Sequence, residues 1–400
     1  KLFEEVTHQA TGDFGVHIYG KKQREVKFIQ ASNIRHPDVV DRSMGHDGSG
    51  PEPSVQFASG GWDLRPHKSR LVGVDLKVLA DWALLFDEPG TPAVEARLLR
   101  PVTTADLEAL SVLAQQPQRL ADCSYHWTRG HEEDRAKREG IIRWETGIPD
   151  SWSDVILQGP HFSVATPFNK QPKEKCRNNS DYSEWNLEDL PERVIPRTNY
   201  QRACDQATYE AGQAHWGGRP APTHWRVGWR RMTQPGMERS FHSSIMPPSS
   251  DHVFTLHTYS LSTDKETVRL AGLTASLPFD YLVKISGKAD INNEFVNRLP
   301  FPAAGALDSA LLLRTLRLNC LTADYAPLWE ELYDPAWLDD RWTDPSLTRS
   351  ALGDVGPKWS MDTPLRRDQG RWQALVEIDA LAALMLGLTA DQLCAMYRTQ

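Results

Sequence analysis

THWRVGWRRMTQPGMERSFHSSIMPP, residues 223–248, decides how this chain is read. Trp225, Val227 and Trp229 alternate with Arg226, Gly228 and Arg230. Side chains on a strand point to opposite faces with a period of two. The pattern therefore predicts a strand with indoles turned to a core and guanidinium groups turned outward. Pro235-Gly236 marks a turn, and the stretches SFHSSIM (240–246) and DHVFTLHTYSL (251–261) supply further strands around Pro247-Pro248.

Charge concentrates around this strip. Residues 161–245 carry twelve Lys/Arg and nine Asp/Glu, a net +3 inside a chain of formal charge −8. KQPKEKCR (170–177) holds four bases and one acid, and residues 215–239 hold five arginines and one acid. Asn178, Asn179, Asn199 and Tyr200 stand among them. Such clusters neutralise phosphates with counterion release, and Arg and Asn can fork onto guanine and adenine edges. The competing reading is that the arginines pair with acids inside the fold, since ion-pair networks look the same in one dimension.

Around the strip, the sequence predicts an α+β chain in three units. Residues 1–147 form a mixed α/β unit. FGVHIYG (14–20) and EVKFIQ (25–30) read as strands, and 38–63, rich in Gly, Pro and Ser, as a loop. TTADLEALSVLAQQ (103–116) is a helix capped by Thr103 or Thr104, and GHEEDRAKREGIIRWE (130–145) is a solvated charged segment. Residues 148–303 form a β-rich unit with DVILQ and HFSVATPF as strands, an irregular polar stretch over 170–205, and a helix over 263–287 that Pro278 kinks or splits. Thr263 and Glu266 make a capping box at its start. Residues 304–400 are helical: ALDSALLLRTLRLNCL and RWQALVEIDALAALMLGL read as buried helices around a long acidic connection, and Thr389 with Gln392 caps a last helix.

Composition excludes several classes. No apolar run reaches the length that spans a bilayer, so no membrane partner is expected, and free thiols fit the reducing cytoplasm expected for the chain. Five scattered cysteines, never spaced CxxC, argue against a disulfide framework or a zinc site. There is no GxGxxG, P-loop, HExxH or GxSxG. His252 and His257, five apart on one predicted strand, face opposite sides and do not share a metal. Fourteen tryptophans point to extensive core contacts. Both termini read as cut, as in a piece of a longer protein.

VILQGPHFSVATPFNK, VIPRTNY, the 223–248 strip, FDYLVKISG, NRLPFP, LRTLRLNCLTADYAPLWEE and the final helices, taken in order, resemble the C-terminal half of large bacterial adenine-specific DNA methyltransferases. These are enzymes of type IIG restriction–modification and of phage-defence systems of the Pgl/BREX and DISARM kind. The similarity covers roughly residues 150–400. It rests on an arginine-bearing strand (226–231), Glu238-Arg239, a strand ending at Pro247-Pro248, Phe279-Asp280-Tyr281, and Leu299–Pro302. The family's S-adenosylmethionine loop and its Asn-Pro-Pro-Tyr are missing. The resemblance implies a target-recognition region that binds double-stranded DNA and works with a methyltransferase domain and other defence-system subunits. It implies no catalysis and no cofactor in this chain, S-adenosylmethionine belonging to the absent domain. The DNA-contacting residues expected are Lys170, Lys173, Lys175, Arg177, Asn178, Arg197, Asn199, Arg226, Arg230, Arg231 and Arg239. The alternative is a protein–protein interaction module of a defence complex that does not touch DNA.

Overall fold

A computed structural model describes residues 15–21, 24–57, 59–178, 180–233, 237–344, 346 and 351–399. The expected turn at Pro235-Gly236, and Asn179, lie outside the described residues. In chain order the front half contains β1 (Lys27–Gln30), α1 (Asp38–Met44), β2 (Val72–Asp75), α2 (Leu76–Phe86), α3 (Ala105–Ala114), β3 (Tyr125–Thr128), α4 (Glu133–Arg138), β4 (Ile142–Gly147), β5 (Ile156–Leu157), β6 (Lys170–Pro172), β7 (Tyr182–Glu184), β8 (Thr198–Arg202), α5 (Gln206–Ala211), β9 (His215–Trp216) and β10 (Arg219–Pro220). There follow β11 (Arg226–Arg230), β12 (Ser243–Met246), β13 (Asp251–His252), β14 (Leu256–Leu261), α6 (Asp264–Thr274), α7 (Leu277–Ser286), α8 (Asn293–Asn297), α9 (Asp308–Asn319), α10 (Ala326–Leu332), α11 (Asp368–Met385) and α12 (Ala390–Arg398). Helices and strands are both well represented, so the chain is a mixed α and β fold. No described helix is long and apolar enough to cross a membrane.

The arginine strand β11 lies inside a four-stranded antiparallel sheet of order β12-β11-β14-β3. Its alternation works as the sequence predicts, but both faces are covered. Val227, Trp229, Ile245 and Tyr259 point into the main core, which also takes Val268, Leu273, Leu313, Trp329 and Met396. Trp229 is 1% exposed and donates its indole N–H to the Ile291 carbonyl at 2.9 Å. The opposite face meets a second apolar cluster of Val155, Leu157, Phe162, Met246 and Leu256. Gly228 makes this possible: a Cβ there would stand 2.6 Å from the Phe162 ring. The layer on the second face, residues 155–168, is what the sequence pattern of β11 alone could not announce.

The main core runs from Val72 through Met396. β3, drawn from residues 125–128, joins the central sheet, and α12 packs on α3 and α7. Several local expectations need correction. Residues 15–20 carry no strand, and the 38–63 stretch contains α1. The N-terminal end of α3 is closed by Asp106, whose carboxylate accepts from the Val102 and Thr103 N–H groups, so no threonine caps it. HFSVATPF forms a tight turn about Ala165 in place of a strand. The charged segment 130–145 divides into α4 and β4, and the polar stretch 170–205 contains three short strands and buries Leu190 and Tyr200. At the start of α6, Thr263 caps the Glu266 N–H as expected, while the Glu266 carboxylate meets the Thr263 hydroxyl and not its backbone N–H. The chain breaks between α6 and α7 just ahead of Pro278, and Thr389 with Gln392 completes a full capping box on α12.

α6 and α9 approach closely over Gly272, where a Cβ would lie 2.4 Å from Thr315 Oγ1 and 2.9 Å from Leu311 Cδ1. Alanine favours a helix over glycine by about 1 kcal/mol, but overpacking a filled core costs about 1–3 kcal/mol. Gly272→Ala is therefore expected to lower the urea unfolding midpoint, and Gly272→Val to lower it further.

Candidate nucleic-acid interface

The expected contact residues fall into two sets, one buried and one exposed. Arg226 is 0% exposed. Its Nη2 donates to the Ser250 carbonyl and its Nε to the His224 carbonyl at 3.3 Å. Burial lowers its pKa to about 10, so the guanidinium stays charged at neutral pH. Arg230 is half-buried and donates to the Gly159 carbonyl at 2.9 Å. Arg231 pairs with Asp290 at 2.9 Å and Arg239 with Asp379 at 2.6 Å. The outward-facing cationic ribbon expected of 226–239 is thus corrected: these guanidinium groups bind carbonyls and carboxylates of the same molecule. For Arg226 and Arg230 the reason is the 155–168 layer on their face of the sheet, whereas Arg231 and Arg239 lie off that face and meet Asp290 and the α11 residue Asp379.

Asn199 and Arg197 are corrected in the same way. Asn199 is 0% exposed. Its amide donates to Gln158 Oε1 at 3.1 Å, which also accepts from the Tyr182 hydroxyl at 2.7 Å. Arg197 donates to the Pro172 carbonyl at 3.1 Å, its backbone N–H to Gln171 Oε1, and its carbonyl meets His161 Nε2 at 3.0 Å. Together these groups clamp the base of the β6–β7 hairpin.

That hairpin carries the exposed set. β6 and β7 pair from Lys170 opposite Glu184 to Pro172 opposite Tyr182, and the Lys173 N–H adds a rung to the Asp181 carbonyl at 2.9 Å. Lys170 spans the two strands to Glu184 at 3.0 Å. Beyond it, Lys173, Lys175, Arg177 and Asn178 are all exposed. Glu174 is the one acid over 173–178, and Asp181 turns inward to accept from the Arg177 backbone N–H. Asn178 Oδ1 accepts from the Ser180 N–H and hydroxyl, closing the tip. A cation-bearing, two-stranded ribbon on a rigid base has the width that enters a DNA major groove.

A buried polar network lies behind the sheet. Asp251 Oδ2 accepts from His131 Nε2 at 2.9 Å, the Tyr209 hydroxyl at 3.0 Å and Gln213 Nε2 at 2.8 Å. Burial pushes the Asp251 carboxyl up, but His131, with the charges of His252 and Arg226, outweighs it and holds the carboxyl well below the usual carboxylate range, and Asp251 in turn raises His131. The network ties β13 to α5 and to the segment ahead of α4. His252 and His257 lie on separate strands, β13 and β14, and not on one. Among the described residues no three His, Cys, Asp or Glu side chains group to hold a metal ion.

Sequence reasoning missed two surface features. Trp127, Arg129 and Phe254 gather at the edge of the central sheet, where only the alternation in YHWTR (125–129) gave a signal. α11, expected to be a buried helix, leaves Trp372, Val376 and Leu384 more than half exposed. Their spacing of four and then eight residues keeps them on one side of the helix. No protein-family model matches the chain, and no curated protein matches it.

Two outcomes follow. Arg226→Ala leaves the carbonyl of buried Ser250 without its donor and opens a hole, so a loss of about 3 kcal/mol is expected in urea unfolding. Arg226→Met, which fills the space without a charge, is expected to recover much of it. Burial also holds His242 and His252 down at about 3 and His257 at about 4. In the unfolded chain these rings take up protons as pH falls below about 6.5, whereas in the folded chain they stay neutral. Stability is therefore full above that pH and lost on acidification. Between pH 7.5 and 5.5 each is expected to remove about 1 kcal/mol, His131 acting in the opposite sense, as read by unfolding curves at the two pH values.

Proposed function

We propose that this chain recognises duplex DNA as the target-recognition region of an N6-adenine-specific DNA methyltransferase serving restriction–modification or phage defence. The observation that carries the reading is the β6–β7 hairpin. It presents Lys173, Lys175, Arg177 and Asn178 to solvent on a base clamped by Gln158, Tyr182, Arg197 and Asn199. The ordered motifs of residues 150–400 support it. The cations neutralise phosphates and fix the register of the protein on the duplex, and Arg177 and Asn178 are placed to reach base edges. Arg226, Arg230 and Arg239 serve as struts that hold the surrounding loops. S-adenosylmethionine and the chemistry belong to a catalytic domain outside this chain, which extrudes the target adenine. In such an assembly the chain works in the cytoplasm with double-stranded DNA, the methyltransferase domain and other defence-system subunits.

One observation favours a second reading, that of a protein interaction module. The Trp372, Val376 and Leu384 stripe on α11 is an apolar surface of the kind that docks another protein. Salt separates the two. DNA binding through n phosphates falls with log salt at a slope of about −0.9n. Fluorescence anisotropy of a labelled duplex, titrated with the chain at several salt concentrations, is expected to show a steep slope. Lys173→Ala, Lys175→Ala and Arg177→Ala together are expected to weaken binding at least about tenfold and reduce the slope by about 2–3. A complex with a defence-system protein that is insensitive to salt, with no duplex binding, would establish the second reading instead.

A further inference from the structure

At its open edge the central sheet carries its aromatic face out to solvent. β3 is the edge strand, and its Trp127 is 36% exposed. Register sets Trp127 opposite Tyr259 and sets Trp229 opposite His257, so all four side chains share one face. The His257 ring lies 6.1 Å from Trp127, 5.8 Å from Trp229 and 5.4 Å from Phe254. Two guanidinium groups lie over Phe254, that of Arg231 at 4.5 Å and that of Arg129 at 5.4 Å. An indole, a phenyl ring, an imidazole and two arginines thus meet at one rim of the sheet.

Part of this chemistry is unused. His257 is 3% exposed, and neither ring nitrogen has a hydrogen-bond partner. Arg231 Nε is buried and bare as well. Native proteins leave few buried polar atoms in this condition, because an unpaired buried donor or acceptor costs free energy. Burial and the two neighbouring arginines keep the imidazole neutral, with a pKa of about 4. It therefore offers one donor and one acceptor. Arg129 has only a loose partner, Glu132 at 3.7 Å with both side chains about half exposed, while Arg231 is hydrogen-bonded to the half-exposed Asp290 at 2.9 Å. Ion pairs at the surface contribute little and can give way to another anion. Of the three rings around His257, Trp127 and Phe254 reach the surface, so a ligand meets the imidazole only where one of them turns aside.

The geometry points to a site for one unstacked nucleotide of a nucleic acid. The base lies against Trp127, its polar edge bonds to His257, and the flanking phosphates take Arg129 and Arg231. An indole stacks on any base and an arginine fork grips a phosphate. The two imidazole nitrogens point in divergent directions, so one of them, as donor or acceptor, bonds to the base edge. A nucleotide uses all three, whereas a free phosphate or an apolar side chain leaves at least one idle. This assignment rests on the DNA reading above and adds to it that the duplex is opened where it meets the β3 edge.

The test uses the full chain and two labelled duplexes, one fully paired and one with a single unpaired adenine, followed by fluorescence anisotropy. The unpaired duplex is expected to bind about tenfold more tightly. Trp127→Ala is expected to abolish that preference and leave the paired duplex unaffected, and Trp127→Phe to keep most of it. Arg129→Ala, a surface change that leaves the sheet intact, is expected to reduce the preference. Equal binding of the two duplexes by the unaltered chain, or a preference that survives both Trp127→Ala and Arg129→Ala, overturns this site and leaves the hairpin reading standing. Failure to bind either duplex overturns the hairpin reading and this site with it.

Discussion

The fold depends on buried arginines that gather backbone carbonyls. An irregular segment packed against a core must find partners for its carbonyl groups, and a guanidinium supplies five donors in a rigid fork. Arg317 holds the carbonyls of Ala351, Leu352 and Thr363, and so pins the long connection between α10 and α11. Arg366 reaches those of Leu187, Leu190 and Leu321. Arg269 takes Pro302 and Ala303, and Arg70 takes Ser54, Asp63 and Arg65. Arg226 and Arg230 belong to this set. The guanidinium groups that look like a surface feature in the sequence are the fasteners by which loops lie flat on a hydrophobic interior.

This explains what the sequence disclosed and what it withheld. The β11 alternation put Val227 and Trp229 on one face and Arg226 and Arg230 on the other, as its period requires. It could not tell whether the second face met water, because that depends on residues 155–168 folding over it around Phe162 and Gly228. The helices α6, α9, α11 and α12 were readable from caps and apolar spacing. The polar stretch before β9 was not, since β7 and β8 are held by side-chain networks such as Gln158–Tyr182–Asn199 and not by apolar periodicity. Of the expected contact residues, those in the Lys-rich loop lie at the surface and those in the strands lie within. A strand residue's exposure is set by its neighbours in space, and a hairpin tip's by its own sequence.

In the proposed reading, recognition divides between scaffold and tip. The central sheet, with cores on both faces, gives a stiff platform. The hairpin projects from it, and the β3 edge carries the aromatic and cationic rim around His257. Placing polar reading groups on short, well-anchored projections keeps their geometry fixed without exposing a broad cationic surface, in keeping with a chain whose overall charge is negative.

Arg371 has a consequence for dissecting the molecule. From the start of α11 it donates to the Ala165 carbonyl at 2.9 Å and to the Thr166 hydroxyl at 2.7 Å, which belong to the layer just before the hairpin. Residues more than two hundred apart in sequence thus share one anchor. The closing helices are not trim that a minimal fragment can shed: a deletion that stops ahead of residue 368 unfastens the floor on which the hairpin stands.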